Sequence, residues 1–510
     1  MRIIKKGICF ALLVLMLLPM LTVPAAQAFS DSRANVMGAG SAHSVAIDEN
    51  GTLWAWGDNS QGQLGDGSWI NRRVPVRIMD GVTAVSAGDR YNLAIRNDGS
   101  LWAWGQNDRG QLGDGTTVNR RSPVRILEDV IYVAAGWKRT EGGLGGGTPS
   151  SLWQHSLAIT SDGSLWAWGD NIVGQLGDGT TVSRHRPVRV MDGVVAVSAG
   201  DMFTMVIRDD GSLWAWGQNS RGQFGNGTTV SSRIPVRLMD SVAAVYAGDA
   251  YSMVLKNDGS LWAMGQNDRG QFGNGNRTSS NVPVKLLDGV VTISASGNHT
   301  MAVKTDGSLW VWGQNDRGQF GVGTTISSST PVRVTDGIAA VATGDKHTLA
   351  IQADGSLWAW GLNNRSQVGD GTRVNRFSPV KIMGNVAMPD VPRVMPPSVI
   401  LNGELLPLDV PPQIIGGKAM VPLRAIFEAM GAEIQWDPRT NTVTAERDGV
   451  TISLMIGSDV LVRNGASITL EVPAQTISGI TFVPVSAISG SFGAEAVWHA
   501  DTRTIVITVL

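Results

Sequence analysis

Apolar and polar positions recur along this chain with a fixed period. In one unit a run of small residues, Ala84-Val-Ser-Ala-Gly88, leads into an alternating run, Tyr91-Asn-Leu-Ala-Ile95. Asn97-Asp98-Gly99 follows and predicts a tight turn, since Asn, Asp and Gly tolerate the positive φ that hairpin turns require. Leu101-Trp-Ala-Trp-Gly105 then reads as a strand, followed by a Gly-rich loop and a last strand around Pro123-Val-Arg-Ile126. The first Trp of each unit falls at Trp54, Trp102, Trp166, Trp214, Trp262, Trp310 and Trp358. The spacing is 48 residues throughout, except for 64 between Trp102 and Trp166, so one unit carries 16 extra residues.

Four short strands per unit, repeated seven times, predict an all-β seven-bladed β-propeller over residues 29–387. Trp102 and Trp104 are two apart and share one face of their sheet; Leu101 and Ala103 share the other. Blades stack face to face, so an indole on one needs small residues opposite, and the Ala-rich runs suit the crowded axis. The abundance of Trp (18) and Gly (63) thus belongs mainly to the repeat, in which Met264 is the one break in the Trp-x-Trp pattern.

The stretch Trp104-Gly-Gln-Asn-Asp-Arg-Gly-Gln-Leu-Gly113 resembles the signature of the RCC1 (regulator of chromosome condensation) repeat family, and the resemblance implies a seven-bladed propeller. The family's His before the second strand stands at His43, His155, His299 and His347, with Tyr91, Phe203 and Tyr251 in its place elsewhere. Spread around a ring, these imidazoles read as inter-strand hydrogen-bonding groups rather than a metal cluster. Gly62, Gly65 and Gly67 superficially suggest a phosphate loop, but no Lys follows in the required place, and tight turns explain them. Arg77, Arg125, Arg189, Arg237, Lys285, Arg333 and Lys381 form a basic ring that reads as solvated or paired charge.

Departures from the repeat mark the candidate site. The 16-residue insertion lies between the first two strands of the third unit and brings Trp137, Lys138 and Arg139; at the same corner other units carry Asp89, Asp201, Asp249 and Asp345. These seven residues are the candidate partner-binding group. No catalytic, cofactor-binding or metal-ligating set is legible.

Residues 388–397 hold four prolines and read as an extended linker. Beyond it, 398–510 predict a small α+β domain with an internal duplication: 410–423 aligns with 472–485, and 431–436 with 493–498. Leu423, Ile426, Phe427 and Met430 follow helical spacing. Val421-Pro-Leu-Arg424 and Gly431-Ala-Glu-Ile-Gln-Trp-Asp437 resemble the stalk domain named from the N-terminal region of copper amine oxidases. Copper chemistry is not implied for this chain, because residues after 397 include one His, His499, and no Tyr.

Residues 1–28 read as a secretory signal peptide: Arg2, Lys5 and Lys6, an apolar run from Ile8 to Leu18, then Ala26-Gln27-Ala28. The apolar run is short for a membrane span. Cys9, the single cysteine, lies within it, so no disulfide or thiolate site is expected after cleavage. With a net charge of −2 that becomes more negative once that basic segment leaves, a nucleic-acid partner is not expected.

The expected function is a non-catalytic secreted or cell-envelope binding protein, a propeller head on a stalk, whose partner is an extracellular protein or cell-wall glycan. The alternative is a secreted inhibitor of an extracellular hydrolase, since the family includes a β-lactamase inhibitor. A glycan-acting enzyme would need clustered acids on one rim, and guanine nucleotide exchange, the activity of the founding family member, is at odds with export. N-terminal sequencing of the exported protein should begin at Phe29; a sequence beginning upstream of it would show the leader retained.

Overall fold

The computed structural model describes residues 35–136, 154–389 and, within 398–509, all but 407, 409–411, 416–417, 478–479, 490 and 500–503. Between residues 35 and 389 it contains seven four-stranded antiparallel sheets, each an up-and-down meander. Blade 2 is representative, with an inner strand Val82–Ala87, a second strand Tyr91–Arg96, a third strand Leu101–Gly105 and an outer strand Arg120–Leu127. Trp102 pairs with Ala94 and Trp104 with Asn92, and the same register recurs around the ring. The seven inner strands line an axial channel of small side chains, among them Ser86, Ala134, Ser198, Ala247, Ser294 and Ala342. The propeller expectation holds, including the placing of the Ala-rich runs.

Each blade buries its indoles against the blade before it. Trp104 of blade 2 packs with Val45, Leu53, Ala55 and Leu64 of blade 1, whereas Leu101 and Ala103 face Trp168 of blade 3. The two Trp of each pair are not equivalent. Trp56, Trp104, Trp168, Trp216, Trp312 and Trp360 are fully buried, and the seven that head the repeat are half-buried. Burying an indole of this size is worth a few kcal/mol, at about 25 cal/mol per Å² of apolar surface. The loop glycine of the preceding blade makes room for it: a Cβ on Gly113 would stand 2.8 Å from Trp168 Nε1.

A backbone carbonyl in each loop ties these surfaces together. Gln111 O accepts from Trp168 Nε1 at 2.9 Å and from Ser156 Oγ at 2.7 Å, both in the next blade. Gln63, Gln175, Gln271, Gln319 and Gln367 do the same with the indole and a hydroxyl or amide of the following blade. Gln223 O receives Ser252 Oγ alone, because Met264 has no N–H to offer. Such bonds contribute about 1 kcal/mol each, but a carbonyl stripped of its donors in this interior would cost more.

The ring is closed by a composite strand. Inner strands elsewhere begin with Val82, Val130, Val194 or an equivalent, and blade 1 borrows that residue from the far end of the propeller. Val386 bridges Asp48, as Val82 pairs with Arg96, and Ala387 N donates to Ile47 O at 2.9 Å. Val36 O then accepts from Ile47 N, and Met37–Ala39 completes the strand. Outer strands, which face solvent, carry proline at 75, 123, 187, 235, 283, 331 and 379, a device that blocks edge-to-edge pairing.

The C-terminal residues form two four-stranded sheets and one five-stranded sheet around one core. The duplication is structural: in the strands Lys418–Pro422 and Ile480–Pro484, Val421 pairs with Val483, its own equivalent 62 residues on. Each strand leads directly into a helix, Leu423–Ala429 or Val485–Ser489. Leu423, Ile426 and Phe427 are buried as their spacing predicts, and Phe427 meets Phe492 edge-on at 5.3 Å. The first helix carries an exposed Arg424–Glu428 pair that Ser486 and Gly490 cannot repeat in the second.

Ser366 breaks a rule that six blades keep. Its equivalents are Gly62, Gly110, Gly174, Gly222, Gly270 and Gly318, all with φ near +75 to +83°, and Ser366 holds φ +67° with a buried hydroxyl that has no partner. Left-handed backbone costs a non-glycine residue about 1–2 kcal/mol, and glycine's extra unfolded freedom offsets under 1. Ser366→Gly should therefore stabilise the protein by about 1 kcal/mol. A lowered thermal midpoint in that variant would contradict this account.

Candidate binding face

In a four-stranded meander the loop between strands one and two and the loop between strands three and four emerge on the same side. One face of the propeller therefore gathers fourteen loops, including the one that holds the insertion. The longer loops are built on an asparagine. Asn107 Oδ1 accepts from Leu112 N, while its Nδ2 donates to Asp114 Oδ1, Thr116 O and Val118 O. Asp114 also pairs with Arg120 at 2.6 Å, as Asp66 does with Arg72, Asp178 with Arg184 and Asp370 with Arg376. Where Asn226, Asn274 or Val322 replaces the acid, Ser232, Ser280 or Ser328 replaces the arginine.

These stapled loops hold their tips out. Ile70, Val118, Val182, Val230, Ile326 and Val374 share one register and are 58–75% exposed. Arg221, Arg269, Arg317 and Arg365 share another register on four consecutive blades and are also exposed.

The candidate acids sit lower. Asp89 and Asp249 are buried, and Asp201 and Asp345 are half-buried. Asp89 Oδ2 accepts from Gln154 Nε2 at 3.1 Å, and its backbone O accepts from Ser41 Oγ at 3.0 Å. Gln111 Nε2 extends the chain to Gln154 Oε1. Their carboxylates are covered, so Asp89 and Asp249 contribute no exposed contact surface in this structure. Trp137, Lys138 and Arg139 lie outside the described residues.

The histidines are buried and face the next blade. His43 Nε2 bonds Asn92 Oδ1 at 3.1 Å, His155 Nε2 bonds Thr204 Oγ1 at 2.8 Å and His347 Nε2 bonds Ser44 Oγ at 2.9 Å. Tyr91 OH does the equivalent with Ser156 Oγ. Burial disfavours the imidazolium and lowers the pKa to about 3 for His155 and His347 and to about 4 for His299. Among the described residues no three His, Cys, Asp or Glu side chains are grouped to hold a metal ion. On the opposite face six of the seven residues of the basic ring are paired, Arg77 with Asp80 and Arg125, Arg189, Arg237, Lys285 and Arg333 each with the acid three residues on, whereas Lys381 has Gly384 there.

This loop-and-indole architecture can be set beside known proteins. The profile of the RCC1-like domain matches residues 148–395, and that of the RCC1 repeat matches 50–95 and 98–140. The propeller belongs to the RCC1 family. Residues 400–507 match the copper amine oxidase N-terminal domain, so the chain is a fusion of the two.

The RCC1-type propeller is 30% identical over 184 residues to the ultraviolet-B receptor UVR8 of Arabidopsis thaliana, which covers 35% of this chain and 40% of that one. It is 29% identical over 172 residues to the E3 ubiquitin-protein ligase HERC2 of Homo sapiens, 33% of this chain and 3% of that one. The chain therefore spans well under two thirds of either relative. Among solved structures, yeast RCC1 (Prp20) superposes with a TM-score of 0.57 at 20% identity, covering 66% of this chain and 85% of that one. Human WBSCR16 gives 0.56 at 21%, covering 65% and 94%.

The residues of the C-terminal domain do not fit copper: His499 stands exposed on the edge strand Ala494–His499, and no second imidazole or any tyrosine follows residue 397. No helix among the described residues is long and apolar enough to cross a membrane.

Sequence reasoning missed Trp69, Gln61 and the exposed aliphatic tips. Their signal was available: Trp69 stands where four blades carry Thr117, Thr181, Thr229 and Thr325, and Gln61 where five carry arginine.

Neutral buried imidazoles make stability depend on pH. Their folded pKa lies below the unfolded value of about 6.5, so the unfolded chain binds more protons below that pH and stability falls as pH drops from 6.5 toward 4. At pH 5 each such His costs about 2 kcal/mol. Thermal melts at pH 7 and pH 5 should show the drop, and His155→Phe, which installs the residue blade 4 uses at Phe203, should make it smaller. An unchanged slope in that variant would exclude His155 as a contributor.

Proposed function

We propose that this protein is a non-catalytic binding protein, exported through residues 1–28 and retained at or released from the cell envelope, with the propeller as recognition head and the C-terminal domain as stalk. One observation carries the reading. The repeat histidines are buried inside the blades and most of the basic ring is paired, whereas the loop face presents stapled, exposed tips and receives the one insertion. A rigid scaffold with its variation confined to one face is the arrangement of a recognition module. Relatives of this fold bind proteins: yeast RCC1 has been crystallised with Kap60 bound to it.

Full-length protein immobilised as bait should capture a defined component from culture fluid or envelope fractions. Deleting residues 138–150 should abolish that capture and leave the thermal midpoint in place. Capture undiminished by the deletion would count against the insertion-bearing face.

A further inference from the structure

Of the 18 tryptophans, 13 belong to the two repeat rings, and their abundance hides Trp69, which does not. Trp69 is 46% exposed and sits at the tip of the long loop of blade 1, at a register where no other blade has an aromatic residue. The fold does not require it there, since threonine serves in four blades.

The indole is nonetheless held. Asn59 Nδ2 donates to Ser68 O at 3.1 Å and to Ile70 O at 3.2 Å, pinning the residues on both sides of Trp69. The ring edge lies against Gly62, where a Cβ would stand 2.9 Å from Trp69 Cζ3 and 2.8 Å from Arg121 Cα of blade 2. Beside it Gln61 Oε1 accepts from Asn119 Nδ2 across the blade junction at 2.8 Å. Gln61 Nε2 makes no bond among the described residues, and Arg121 is exposed. A flat, half-open indole on a pinned loop, resting on the glycine that follows Gln61 and that the backbone of exposed Arg121 also approaches, sets an apolar face near residues with planar donors. That combination matches a pyranose ring, which has a C–H face and a fringe of hydroxyl groups.

We propose that the junction of blades 1 and 2 is a binding site for the pyranose units of a polysaccharide, with Trp69 as stacking platform and Gln61 and Arg121 as hydrogen-bond donors to sugar hydroxyls. The proposal rests on the reading of the loop face as the recognition face, and it names a ligand class and a position distinct from the insertion. The site is single. At the other junctions an arginine or Val173 takes the place of Gln61, and threonine or arginine that of Trp69.

The test is co-sedimentation of the full-length mature chain with insoluble cellulose, chitin and peptidoglycan, each separately. Wild type should sediment with at least one of them. Trp69→Thr, which restores the residue other blades use, should weaken that binding about tenfold without moving the thermal midpoint. Gln61→Arg should weaken it as well, and deletion of residues 138–150 should leave it intact. The site is overturned if wild type sediments with none of the three, if Trp69→Thr binds as well as wild type, or if the deletion alone removes binding. None of those results would touch insertion-dependent capture of a protein, so this proposal and the broader one can fail separately.

Discussion

The propeller depends on a carbonyl oxygen shared between neighbours. In six of seven junctions the Gln111-type carbonyl accepts an indole N–H and a second donor from the following blade. The indole can reach it only because a glycine two residues further on leaves the space, and the second donor is aligned only if the second strand keeps its register. Hydrophobic burial supplies most of the stabilisation, but it is non-directional, whereas these bonds fix how each blade seats on its neighbour. They convert a stack of greasy wedges into a ring with one arrangement.

The same requirement governs where function can lie. Polar groups recruited to join blades are unavailable for chemistry, and a substitution among them leaves a donor or acceptor stranded. Freedom to vary is left to the loops, and there the chain does vary: Trp69 for threonine, Gln61 for arginine, and an insertion in one blade. The opposite face, with acid-base pairs in six blades, is monotonous by comparison.

How legible this was from the chain alone differs by level. Blade number, strand order and the small inner strands follow from a period and from crowding at an axis, so the sequence suffices. The pairing of His155 with Thr204 was not written locally, because the partner is 49 residues away in another sheet. The acids show where reading by position fails. Asp89 occupies a loop corner that looks exposed, yet Gln154 of the next blade closes over it, and depth below a surface has no signature in a single chain. Trp69 was obscured for the opposite reason, by the many tryptophans the architecture consumes.

The borrowed residue at Val386 has a bearing on biogenesis. A blade that waits for its leading residue until some 350 positions later cannot be finished while the polypeptide is still emerging, whether from a ribosome or from a translocation pore. Until the last wedge arrives, the first sheet has one side open and an apolar flank uncovered. Molecules cut short by premature termination would be left in that state, conspicuous to quality-control proteases.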